Sequence, residues 1–352
     1  MTHLATWRRA HSFVTGQPFY WREAALCAPT MPLLLLAGVG TNRLAYAAVA
    51  AGAAFSVGFG AARDLRGRRW GAMIAAMAGN TLAAFIGCLA GQWPPALIIL
   101  AGVAAAACAV LAMIDEDLWW VTLQMVIALL VGGFYPGAPD AAALRAGAVL
   151  GGGAIQILVV IGLARLAPAA AQRLPAKPAP TDTPRSLYVS HALRAGLCVA
   201  VSLWAAQRFG LANGYWAPMT AMLVLKPGLS ETNTRGLARL TGTVVGGAAA
   251  SLFAFAVGYE WVWLILGVGA CATAAFALQK AHYAILTSAI TATIVLLLSL
   301  AVTGGALRNA EHRLIATVLG GAIALIAARI LPHRARPAVP TVDQVGEAAA
   351  SG

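Results

Sequence analysis

Apolar runs close to twenty residues long recur along the whole of this chain, and few folds accommodate that. A helix needs about 20 consecutive apolar residues to cross a hydrocarbon layer roughly 30 Å thick. Such segments fall at approximately 24–40, 43–61, 70–91, 95–114, 118–135 and 143–166, and again at 190–207, 213–226, 238–257, 260–278, 281–302 and 311–331. A soluble domain with a large apolar core is excluded by the rest of the composition: mean hydropathy is +0.78 and only 10% of the 352 residues are charged. The expected fold is an all-α polytopic membrane protein with about 12 transmembrane helices.

The placement of positive charge supports that count. In membrane proteins the loops on the cytoplasmic side carry the excess of Lys and Arg. With twelve spans and both termini inside, 19 of the 24 Lys and Arg residues collect on the cytoplasmic side. A net charge of +12 in a soluble chain would suggest nucleic acid as a partner; here the basic residues lie between apolar runs and act as topology signals. The expected location is a bacterial inner membrane, with the lipid bilayer itself as a partner.

Two halves resemble one another at a spacing near 170 residues. Arg68-x-x-Gly71 answers Arg239-x-x-Gly242, and Val149-Leu150-Gly151-Gly152 answers Val318-Leu319-Gly320-Gly321. Six spans per half is an even number, so the copies would share one orientation, as two parallel six-helix repeats. The resulting division is an interfacial N-terminal segment at 1–23 with no removable signal peptide, a first unit at 24–167, a Pro/Ala-rich cytoplasmic linker at 168–189, a second unit at 190–331, and a disordered tail at 332–352. Gly87-x-x-x-Gly91, Gly147-x-x-x-Gly151 and Gly242-x-x-x-Gly246 have the spacing that lets membrane helices approach closely, which also permits a homo-oligomer.

The least ordinary stretch is Tyr215 to Ala248, where an apolar segment is opened by Tyr215 and Trp216, carries Pro218 in its first turn, and stops at Lys226-Pro227-Gly228. Interrupted helices and charge near bilayer depth are functional candidates by default. Lys226, Glu231, Arg235 and Arg239 flank the break, either as ordinary positive-inside anchors or as cations that draw in an anion. A second group is Asp115, Glu116 and Asp117, whose counterpart region carries Gln279, Lys280 and His282. Three readings apply to it: a solvated loop, an ion pair across the two units that latches a gate, or a proton-carrying carboxylate. A third group is Arg308, Glu311, His312 and Arg313 entering the last span, with Glu311 and Arg313 expected to meet each other or to bind headgroups.

Catalytic patterns are missing. HExxH, GxSxG, GxxxxGK and paired intramembrane carboxylates do not occur, the six histidines are dispersed, and the five cysteines lie singly within apolar segments. No enzyme activity, metal or cofactor is expected.

Tyr215-Trp216-Ala217-Pro218-x-Thr220, followed by Arg239-x-x-Gly242-Thr243-x-x-Gly246, resembles the fusaric acid resistance and aromatic acid exporter family of bacterial inner-membrane proteins. His282-Tyr283-Ala284 and Arg313-x-x-x-Thr317-x-x-Gly320 resemble two further elements of that family. The resemblance implies a repeated six-helix unit and export of aromatic carboxylic acids and related toxic compounds, coupled to the proton gradient. Plant malate-permeable anion channels are distantly similar. Carried over by position, Tyr215, Trp216, Pro218 and Thr220 would form a broken helix presenting an aromatic surface, faced by Arg239 and Thr243. An aromatic carboxylate needs such a face together with cations and hydroxyls. The alternative for these residues is an interfacial aromatic belt and a topology anchor. Two departures stand out: the first half offers Tyr46-Ala47-Ala48-Val49-Ala50-Ala51 in place of the aromatic element, and no sizeable domain separates the units.

The expected function is therefore secondary export of small aromatic or amphipathic organic anions, with Asp115, Glu116, Asp117, Lys280, His282, Glu311 and Arg313 as candidates for gating or proton coupling. A passive organic-anion channel and a noncatalytic membrane scaffold are the alternatives.

Overall fold

In lipid every backbone N–H and C=O must be satisfied within its own segment or a closed barrel, and this sequence has helical lengths throughout. The computed structural model describes residues 19–166, 185–301 and 305–330, and over them it is all-helical, with a lone bridge between Leu65 and Arg68 as the only strand-like pairing. Most of the N-terminal segment, most of the linker and the tail read from the sequence lie outside the described residues.

The first half comprises α1 (Trp21–Cys27), α2 (Thr30–Gly40), α3 (Leu44–Gly58), α4 (Gly71–Ala90), α5 (Pro94–Leu111), α6 (Glu116–Phe134) and α7 (Pro139–Leu166). The second comprises α8 (Arg185–Arg208), α9 (Trp216–Val224), α10 (Leu229–Ala256), α11 (Trp261–Ala277), α12 (Tyr283–Ala301) and α13 (Ala306–Ile330). Local signals explain several boundaries. Prolines open α5 and α7, where a missing N–H costs nothing, and the Asp115 side chain caps α6 by accepting from the backbone N–H of Asp117 (2.8 Å) and Leu118 (3.0 Å). After α8 the chain turns through Gly210 at φ +60°, a conformation that glycine adopts without penalty.

Ten segments are long and apolar enough to cross a membrane, α1 and α2 counting together as Trp21–Gly40. Each of the other two segments read as spans is a shorter helix: α11 has 17 residues and α9 only nine. Helix α8 also begins at Arg185, several residues inside the stretch assigned to the linker.

The same pairings recur in the two halves. Helix α4 packs on α6 as α10 packs on α12, α3 on α7 as α9 on α13, and α4 on α7 as α10 on α13. The halves join through α5 against α8 and through α11 against α1 and α2. Phe276 of α11 also reaches Phe55 of α3 and neighbouring Phe59, with ring centroids 5.3 and 4.9 Å away.

Small residues set these approaches, because packing and not the hydrophobic effect holds helices together in lipid. A β-carbon on Gly87 would collide with the Leu129 carbonyl, and one on Gly246 with the Ser288 carbonyl. Gly147 and Gly151 have open space instead, so the second of the three glycine pairs is not a packing motif within the chain. Gly152 sits against the Ala50 backbone as Gly320 sits against that of Ala217. By packing role, then, the partner of Gly152 is Gly320, one residue short of the Gly321 that sequence alignment of the two VLGG stretches selects.

Candidate functional site

The break after α9 follows from its sequence. Pro218 is the third residue of the helix, where its N–H would lack a partner anyway, and Leu225 turns extended (ψ 126°) ahead of Pro227. A helix end leaves carbonyls without partners. Here Arg235 Nε takes the Leu223 carbonyl (3.0 Å), and in the connection beyond it Arg194 Nη2 donates to the Pro227 carbonyl (3.2 Å) and Thr232 Oγ1 to that of Gly228 (2.8 Å) while accepting from the Lys226 N–H (3.0 Å). Part of the charge around the break is therefore structural.

Beside the break lies an open cleft of about 410 Å³ lined by Lys226, Ser230, Glu231, Thr234, Arg235, Ala238, His282 and Tyr283. Its position at the connection after α9 puts Lys226 outside the spanning helices. Burial, and then the charge of Arg235, push the Lys226 ammonium down to about 8, against the opposing influence of Glu231. The guanidinium of Arg235 lies 3.9 Å from the Tyr283 ring centroid. His282 is partly committed to structure, since its Nδ1 accepts from the Ala284 N–H (3.3 Å) at the start of α12.

Tyr283 separates the cleft from a buried cluster. Its hydroxyl accepts from Arg239 Nη1 (3.5 Å), and Arg239 is 4% exposed. Arg313, 2% exposed, lies within electrostatic reach of both Arg239 and Tyr283. Its guanidinium stands 3.7 Å from the Trp216 ring centroid, and its Nε donates to Thr291 Oγ1 (3.2 Å). Both terminal nitrogens of Arg313, Nε of Arg239 and the hydroxyls of Thr220, Thr287 and Thr317 are buried without hydrogen-bond partners among the described residues. Neither arginine pairs with a carboxylate among the described residues. Two adjacent buried cations with free donors are costly to hold in this way, and an anion placed between them removes most of that cost.

Aromatic rings extend the cluster. Trp216 tilts on Tyr215 (4.8 Å), Tyr215 meets Phe134 edge-on (5.2 Å), Phe134 meets Tyr135 (5.2 Å), and Arg145 lies 4.3 Å from the Tyr135 ring. Arg145 and Arg313 are 168 residues apart, the spacing that also relates Gly152 to Gly320. Each sits on the last helix of its half over an aromatic ring.

The structure thus brings Tyr215, Trp216 and Arg239 around Arg313, while Thr220 and Thr243 are buried on the same helices, Thr243 donating within its helix to the Arg239 carbonyl (2.9 Å). Lys226 and Arg235 line the cleft outside it, and Pro218 shapes the helix. The acidic triplet separates into three jobs. Asp115 is the helix cap, Asp117 meets Arg63 at 3.2 Å in a largely buried pair, and Glu116 meets Arg63 (3.6 Å) and Lys280 (3.3 Å). The last contact is an ion pair between the two halves, joining the groups singled out for one. Glu311 stays exposed and does not meet Arg313, which points inward to Trp216; the expected pairing between those two is corrected accordingly. Arg313 instead joins the buried cluster. Sequence reading missed Tyr283, Thr291 and Arg145 as parts of this region. The shared position of Arg145 and Arg313 was the available signal, hidden by the one-residue offset of the glycine pair.

Residues 198–327 match the family model described as fusaric acid resistance protein-like. The match covers every motif on which the resemblance was read, from Tyr215 to Gly320. No curated protein and no solved structure matches the chain.

Proposed function

We propose that this multi-pass membrane protein, fusaric acid resistance protein-like over residues 198–327, moves small aromatic organic anions out of the bacterial cytoplasm. The observation that carries the proposal is the pair of buried, carboxylate-free guanidinium groups of Arg239 and Arg313 beside the Trp216 ring. A carboxylate satisfies the free N–H donors, and a planar ring stacks on the aromatic side chains. The end of the bundle bearing the cleft also bears the Arg-rich connections, which favours its assignment to the cytoplasm, with both termini on that side. Lys226 and Arg235 there meet the anion first, and Tyr283 stands between them and the inner arginines.

The recurring helix pairings support two parallel units that rock against one another, and α9 and α11 as the short members of a set of twelve crossings. Closure of the site by Tyr283 favours alternating access over an open channel. No step of the account calls for catalysis. Proteoliposome flux of benzoate or fusaric acid, with and without a pH gradient, tests the reading. Saturable movement that responds to the gradient supports proton-coupled export; movement that is linear in concentration and indifferent to the gradient supports a channel; no movement contradicts both.

A further inference from the structure

We propose that the two halves clasp a small inorganic monoanion, of halide or nitrate size, in a pocket between Cys108 and Trp119 of the first half and His191 and Lys226 of the second. This pocket, about 100 Å³, lies where α5 and α6 face α8 and the end of α9. It is separate from the open cleft, and Lys226 stands in the wall between them. Size decides the ligand class. An apolar cavity of about 150 Å³ takes a benzene ring, so a pocket of about 100 Å³ is small for an aromatic acid and suits a smaller ion.

Charge decides the sign. The Lys226 ammonium lies 5.7 Å from the Trp119 ring centroid and forms no ion pair among the described residues, although Glu231 acts on it from the cleft side. His191 is 5% exposed, lines the pocket, and its Nδ1 has no hydrogen-bond partner among the described residues. Arg194, one turn along α8, adds positive potential while its Nη2 is held by the Pro227 carbonyl. Among the described residues no acidic side chain lines the pocket. Most of the wall is alanine, methionine and leucine, which suits a weakly hydrated monoanion and leaves too few donors for sulfate or phosphate. Trapped water needs two to four polar partners, more than this wall offers to each of several molecules. The anion would bridge the halves at the interface they must shift to work.

The test is thermal unfolding of the full chain in lipid nanodiscs at constant ionic strength, with sodium gluconate replaced by chloride, bromide or nitrate. Wild type is expected to show a saturable rise in Tm. His191→Leu and Lys226→Met should lose the rise or need at least about tenfold more anion to reach it. Arg239→Gln, which removes a cation of the buried aromatic-anion cluster and lies outside the pocket's lining, should keep it, and so separates this site from the aromatic-anion reading. No rise in wild type, or an equal rise in all variants, overturns the proposal. If His191→Leu does not fold, crystals of wild type grown in bromide decide: an anomalous peak between Trp119 and His191 supports the site, and peaks confined to the surface overturn it.

Discussion

The guanidinium of Arg313 lies 3.7 Å from the centroid of the Trp216 ring and forms no ion pair among the described residues. A cation over a desolvated indole gains roughly 2 kcal/mol, well short of what removal from water costs it. Arg313 is thus held at a net expense, which is the signature of a residue kept for function. Arg313→Leu is expected to abolish aromatic-anion flux while leaving stability unchanged or raised by up to about 2 kcal/mol. Flux in proteoliposomes and thermal unfolding of the same preparation check the two halves of the prediction; a large loss of stability would mark Arg313 as structural.

Glycines of the same sequence pattern should differ sharply in tolerance. Gly246→Leu drives a side chain into the Ser288 backbone and separates α10 from α12, at a cost of about 1–3 kcal/mol. Gly147→Leu enters open space and should stay within about 0.5 kcal/mol of wild type. Denaturation midpoints of the two variants in one detergent give the comparison.

How much of this was legible beforehand can be judged from these positions. Periodic apolar length revealed the helices, and the break at Pro227 and the aromatic opening at Tyr215 drew attention to the right region. The 28-residue α10 and the nine-residue α9 show where that reading lost precision, since apolar length does not say how far a helix runs past the bilayer or stops short of it. Arg313 was misread because sequence neighbours such as Glu311 point to another face of the helix. Direction around a helix axis depends on packing partners, and those lie on α9 and α12, far away in sequence.

The ion pairs near α6 separate by exposure. Lys280 and Glu116 are 49% and 59% exposed in their side chains, so Lys280→Ala should change stability by less than about 1 kcal/mol. Asp117, only 7% exposed, faces Arg63, and Asp117→Ala should cost clearly more, because it strands a partly buried guanidinium. Unfolding of both variants at low and high salt tests this, with salt sensitivity expected only for the Lys280 contact.

Lys226 gives the cleft a pH dependence of defined sign. Its pKa is lowered to about 8, so it is cationic below that value and neutral above it. The cleft also holds Arg235 as a second basic side chain. Anion affinity at the cleft should therefore fall, without vanishing, as pH rises through about 8. Lys226→Met should bind weakly at all pH values and show no such step; an unchanged profile in that variant would assign the titration elsewhere.

The central claim is that Arg239 and Arg313 together hold the carboxylate of an aromatic acid against Trp216. Its most direct measurement is the equilibrium binding of fusaric acid or benzoate to the purified protein in nanodiscs, for wild type, Arg239→Gln and Arg313→Gln. Loss of a charged hydrogen-bond partner at a buried site removes about 1.5–3 kcal/mol, so each variant should bind at least about tenfold more weakly than wild type. Equal affinity in all three proteins would contradict the account.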